Sequence, residues 1–123
     1  MVKLLLPQEI ETFYVIPTLR KHLAVALKKQ GMKQKDIASI FGINSAAISQ
    51  YTSNKRGDKV QLTEEIHSQI LTSANLIKDQ GSYIREIHRL LYIIRQSKVL
   101  CDIHKQFSSV PDSCTVEKAG CHQ

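Results

Sequence analysis

Tryptophan is absent from the 123 residues, and no apolar run reaches the roughly 18 residues a membrane-spanning helix needs. Glycine and proline are scarce, five and three, which excludes a collagen-like or low-complexity chain. The three cysteines (Cys101, Cys114, Cys121) all lie late in the chain, and an odd number so placed argues against a disulfide framework. The apolar opening stops at Pro7, too short for a secretory leader, so a cytoplasmic protein is expected. No P-loop, dinucleotide glycine signature, His-Glu-x-x-His or nucleophile elbow occurs, and the acids are dispersed rather than paired. The expectation is a protein that is not an enzyme. What remains is an ordinary globular balance, 42% hydrophobic and 23% charged.

Acidic residues are scarce in one half only. Residues 1–60 carry ten basic side chains against four acidic ones, and residues 61–123 carry seven of each. The whole net charge of +6 therefore belongs to the first half. A basic half joined to a neutral half suits a polyanion-binding module with a separate partner or sensor segment, although a solvated Lys-rich surface has the same composition.

Strand-like alternation is missing, and helical spacing runs almost throughout. Pro7 suits a first helical turn, and Pro17 should kink or restart that helix because it lacks an amide hydrogen and clashes with the preceding turn. Leu19, Leu23, Ala26 and Leu27 recur at helical spacing up to Gly31, a suitable residue just past a helix end. Short helices are expected over about 34–41 and 45–53. Thr63 caps a further helix, and Gln80-Gly81-Ser82 ends it, with Ser82 capping a long one. That long helix carries Ile84, Ile87, Leu91 and Ile94 on one face, with Leu90 and Ile93 beside them. So wide a stripe is either core or a dimer seam.

The informative stretch runs from Gln34 to Tyr51. Ala38 is small where two helices cross closely, and Gly42 supplies the positive φ of a short interhelical turn. Ile37, Phe41, Ile43, Ile48 and Tyr51 are spaced to fill the wedge between the helices, and Asn44 can cap the second one. Ser45, Ala46, Ala47, Ser49 and Gln50 are then expected to point outward, small or amide-bearing and free of negative charge. Such a helix fits a major groove about 12 Å wide; Gln50 can bond adenine at two points and the alanine methyls can meet thymine methyls. Gln34 would set its amide against a phosphate, while Lys33, Lys35, Lys55 and Arg56, with Asn54 beside them, flank the same surface.

At these residues the chain resembles the lambda-repressor-like (Cro-type) helix-turn-helix of prokaryotic transcriptional regulators. The resemblance rests on the run Gln-x-x-x-Ala-x-x-x-Gly-Ile-Asn-x-x-x-Ile-Ser-x-Tyr and covers about residues 17–80. It implies an all-α fold and a homodimer on double-stranded DNA, with half-sites about one helical turn, ~34 Å, apart. The implied organisation is a DNA-binding domain over 1–80, a long amphipathic helix for dimerisation over 81–107, and an irregular Cys/His tail over 108–123.

Cys101 and His104 lie one helical turn apart, and Cys114, Cys121 and His122 follow. Cys101, His104, Cys114 and Cys121 make up the ligand complement of a closed zinc site, and thiolates also hold iron–sulfur clusters. Spacing alone leaves three unrelated thiols equally open. The whole-chain layout resembles a group of small archaeal regulators, which implies a metal- or iron–sulfur-binding tail. This chain departs from that pattern in having His104 where a paired cysteine would stand. His22, His67 and His88 fall on separate helices with no second ligand three or four residues away, and read as surface or core-edge residues. The competing functional reading is an interaction module, antitoxin-like or scaffolding, with DNA binding secondary.

Overall fold

The computed structural model describes residues 4–53, 60–97 and 99–107, with only the backbone at Leu100. Among them the fold is all-α, without a strand. The helices are α1 (Pro7–Ile10), α2 (Ile16–Lys29), α3 (Gln34–Phe41), α4 (Ser45–Thr52), α5 (Glu64–Leu76), α6 (Gln80–Gln96) and α7 (Val99–Phe107), with one π-helical turn, Glu11–Val15, between α1 and α2.

That π turn is how the chain absorbs Pro17. A proline ring would collide with the carbonyl four residues back, so the preceding turn widens and α2 restarts with proline in its first turn. Thr18 Oγ1 donates to the Tyr14 carbonyl at 2.8 Å across the junction. Glu11 sits in the π turn, buried, and accepts two 2.7 Å hydrogen bonds from Arg95 at the end of α6. Two parallel N–H donors on one carboxylate fix orientation as well as distance.

One apolar core joins every helical region, from Leu5 through Leu19, Leu23 and Leu27 of α2 to Leu90, Ile94 and Ile103. Each fully buried Leu or Ile side chain is worth about 1.5–3 kcal/mol relative to exposure. The wide stripe of α6 is thus mostly core: Leu90, Leu91 and Ile94 are buried, Ile87 and Ile93 half-buried, and only Ile84 stands in solvent. The expected single helix to Phe107 divides at Ser97, whose Oγ turns to the Ile94 carbonyl and also accepts from the Val99 amide. α7 then packs on α1, and the rings of Tyr14 and Phe107 stack at 4.0 Å.

Between α5 and α6 the break falls at Ile77–Asp79, earlier than Gln80-Gly81-Ser82. Asp79, not Ser82, is the N-cap of α6: its Oδ1 accepts from the Ser82 amide at 2.8 Å, and Ser82 Oγ returns the bond by accepting from the Asp79 amide. Ser82 is therefore the third residue of a capping box. Buried Glu86 joins the two helices, accepting from Ser73 Oγ at 2.8 Å and from Arg89 Nε at 2.9 Å. Arg89 also reaches the Gln69 side chain and carbonyl, so the carboxylate, hydroxyl and guanidinium all find partners. Burial alone would raise the Glu86 carboxyl; the bonds from Arg89 and Ser73 outweigh it and hold the group below its ordinary value.

Candidate nucleic-acid interface

The corner between α3 and α4 is built by three residues. Gly42 adopts φ +67, and a double closure follows, with its own amide bonding the Ser39 carbonyl and the Ile43 amide bonding the Ala38 carbonyl. Asn44 leaves the corner in an extended conformation and caps α4, its Oδ1 accepting from the Ala47 amide at 2.8 Å. Ile37, Ala38, Phe41, Ile48 and Tyr51 are buried in the angle and Ile43 is half-buried there. α6 holds α3 from behind, through Gln80 donating to the Ser39 carbonyl at 2.9 Å and Tyr83 stacking on Phe41 at 4.4 Å. The corner is braced on its inner side and open on its outer one.

Ser45, Ala46 and Ser49 stand exposed on the outer side. Ala47 does not. It is 8% exposed, because the buried stripe of α4 is Ala47, Ile48 and Tyr51, and its methyl packs inward where the sequence reading turned it to solvent. Gln50 lies between these faces, half-buried, and its Oε1 is buried with no hydrogen-bond partner among the described residues. An unmatched buried carbonyl costs about 1–3 kcal/mol, so the side chain loses little by swinging outward to an external donor.

Gln34 is engaged differently from the expectation. Its Nε2 donates to the Ser45 carbonyl at 2.9 Å, which ties the start of α3 to the start of α4. One of the two side-chain amide hydrogens is thus committed to the protein. The main-chain amides of Gln34 and Lys35, in the first turn of α3, are the ones that helix geometry leaves without intrahelical acceptors. Lys35 is exposed beside them, as is Lys33. Asn54, Lys55 and Arg56 lie outside the described residues.

A cleft of about 450 Å³ opens beside this corner, lined by Val25, Lys28, Lys29, Gln34, Ser49, Thr52 and Ser53. Among the described residues its polar groups are two ammoniums, an amide and three hydroxyls, with no carboxylate. Lys28 and Lys29 stand in the last turn of α2, and because α2 packs on α4 both reach the same surface as Ser49.

The expected tail ligands are divided by what is described. Cys101 and His104 are both half-buried on α7, and a His104 ring nitrogen, Nε2, donates to the Leu5 carbonyl. A carbonyl can only accept, so Nε2 carries the hydrogen of this bond. Cys114 and Cys121 lie outside the described residues. Among the described residues no group of three His, Cys, Asp or Glu side chains is arranged to hold a metal.

One pairing was not foreseen. His22 of α2 and His67 of α5, 45 positions apart in sequence, meet edge to face with ring centroids 4.7 Å apart. Burial, with smaller contributions from His67 and Lys21, pushes His22 down to about 4.

Scans against protein-family models, curated proteins and solved structures find no match to this chain.

Proposed function

We propose that this chain is a sequence-specific transcriptional regulator that binds double-stranded DNA as a homodimer, through a helix-turn-helix of the lambda-repressor-like type. The observation that carries the reading is the outer edge of α4. Ser45, Ala46 and Ser49 are exposed and small, Gln50 sits beside them with an acceptor unmatched among the described residues, and α4 carries no acid. A helix with a slender leading edge can approach base edges in the major groove, where a glutamine reads adenine and a methyl meets thymine. Ala47 supports that edge from inside, and Gln34 sets the start of α4 relative to α3.

The electrostatics favour the same polyanion. From Arg20 to Ser53 the chain has six basic residues and one acid, Asp36. Lys28 and Lys29 line the cleft beside α4, suited to phosphates flanking the bases in the groove. One such module covers few base pairs, so two copies on related half-sites supply the affinity and selectivity of a regulator. Cys101, His104, Cys114 and Cys121 are proposed as the zinc or iron–sulfur ligands of the same protein, tested by metal, sulfide and visible absorbance after purification without oxygen.

The deciding experiment is selection of bound genomic fragments followed by duplex titration at several salt concentrations. Affinity should fall steeply with salt, with a log–log slope of about −0.9 per neutralised phosphate. The selected duplex should keep a preference of about a thousandfold or more over unrelated sequence. Weak binding with no preferred sequence would overturn the reading in favour of an interaction module.

A further inference from the structure

We propose that His22 and His67 form a two-imidazole site for a borderline divalent cation of the zinc, nickel or copper class, a cation that clamps α2 to α5. The site is separate from the α4 edge and from the Cys/His tail, and it does not depend on the DNA-binding reading.

The geometry comes first. Two imidazoles on one tetrahedral zinc, at Zn–N of about 2.0–2.1 Å, have ring centroids roughly 5 Å apart. His22 and His67 already stand at 4.7 Å. The rings meet edge to face, at 88°, so joint ligation requires the ring presenting its face to turn about its outer side-chain torsion, which for histidine is broad and soft. The backbone frame is stiff: His22 lies between the buried Leu19 and Leu23 of α2, and His67 follows the buried Ile66 of α5. Both rings are half-buried, close enough to the surface for a cation to arrive.

The chemistry agrees. Imidazole nitrogen is the ligand shared by zinc, nickel and copper. Two protein ligands leave the other coordination positions to water, which makes the site open and of modest affinity. Holding two ligands in one frame still raises affinity by about a hundredfold or more over either alone.

The test is titration with Ni²⁺ of the full chain in which Cys101, Cys114 and Cys121 are replaced by serine, which removes the competing tail ligands, following the ring-proton resonances of its histidines. His22 and His67 should broaden first and together, ahead of His88, His104 and His122, and Ni²⁺ should raise the melting temperature. In the same background His22→Asn or His67→Asn should weaken Ni²⁺ binding by about a hundredfold. If a variant loses its helical circular-dichroism signal, the order of broadening in the chain that keeps both histidines decides alone. Broadening that begins at His88, His104 or His122, unchanged affinity in both folded variants, or no binding at millimolar Ni²⁺ would overturn the proposal.

Discussion

The corner α3–α4 and the hairpin α5–α6 are both helix pairs joined by three residues, yet they treat polar groups in opposite ways. In the hairpin the buried polar groups are matched: Glu86, Ser73, Arg89 and Gln69 bond to one another, with Arg85 also 3.5 Å from Glu86, and Asp79 and Ser82 cap each other. In the corner, Asn44 and Gln34 hold the frame, while Ser45 and Ser49 stand in solvent and the Gln50 acceptor has no match among the described residues. The clefts beside them differ in sign as well. That at the corner has two lysines, and one of about 400 Å³ near the ends of α5 and α6 has Glu65. A closed polar network fixes architecture, and unfilled polar valences at a rigid edge are available to a partner.

Breaking the hairpin should cost most. Glu86→Ala is expected to destabilise the fold by about 3 kcal/mol, the low end for disrupting a buried ion pair, because Arg89 keeps a third of its surface in solvent. Urea denaturation measures it, and a loss below about 0.5 kcal/mol would show that the network carries little stability. Acid should remove part of the same contribution without a mutation. Since the folded carboxyl is held below its ordinary value of about 4.5, its stabilisation is complete above that value and is lost as pH falls through the lower folded one. The gap in urea midpoint between the parent and Glu86→Gln should therefore narrow on acidification.

At the corner the largest effect belongs to binding rather than to stability. Gln50→Ala should cost about 1–3 kcal/mol of affinity at one operator position and relax its selectivity, with the fold intact. Unchanged affinity and selectivity would remove Gln50 from the contact surface. Gly42→Ala should destabilise by about 1–2 kcal/mol, the cost of a left-handed residue that bears a Cβ. A Cβ there meets nothing within 4 Å, so backbone strain is the whole effect and DNA selectivity should survive in the folded fraction. The smallest loss, about 1 kcal/mol in thermal denaturation, is expected for Asn44→Ala, which leaves the Ala47 amide without its cap.

What the residues announced in advance were features with local causes. Gly31 and Gly42 at positive φ, Asn44 and Thr63 as caps, and the wedge of Ile37, Phe41, Ile48 and Tyr51 each follow from a few neighbouring positions. Features that depend on distant packing were hidden. The inward turn of Ala47 follows from the angle at which α4 lies on the core, and Gln34 from the position of the Ser45 carbonyl. The His22–His67 contact exists only because α2 lies along α5. Proline announced an irregularity near position 17, but not that a widened turn would absorb it. Asp79 takes the cap that the sequence assigns to Ser82: both residue types favour that position, and the helix begins at Gln80.

The stacking of Tyr14 on Phe107, with Glu11 held by Arg95, has a consequence for the order of synthesis. α1 and the π turn are synthesised before α6 and α7, so these two contacts close only once Arg95 and then Phe107 have left the ribosome.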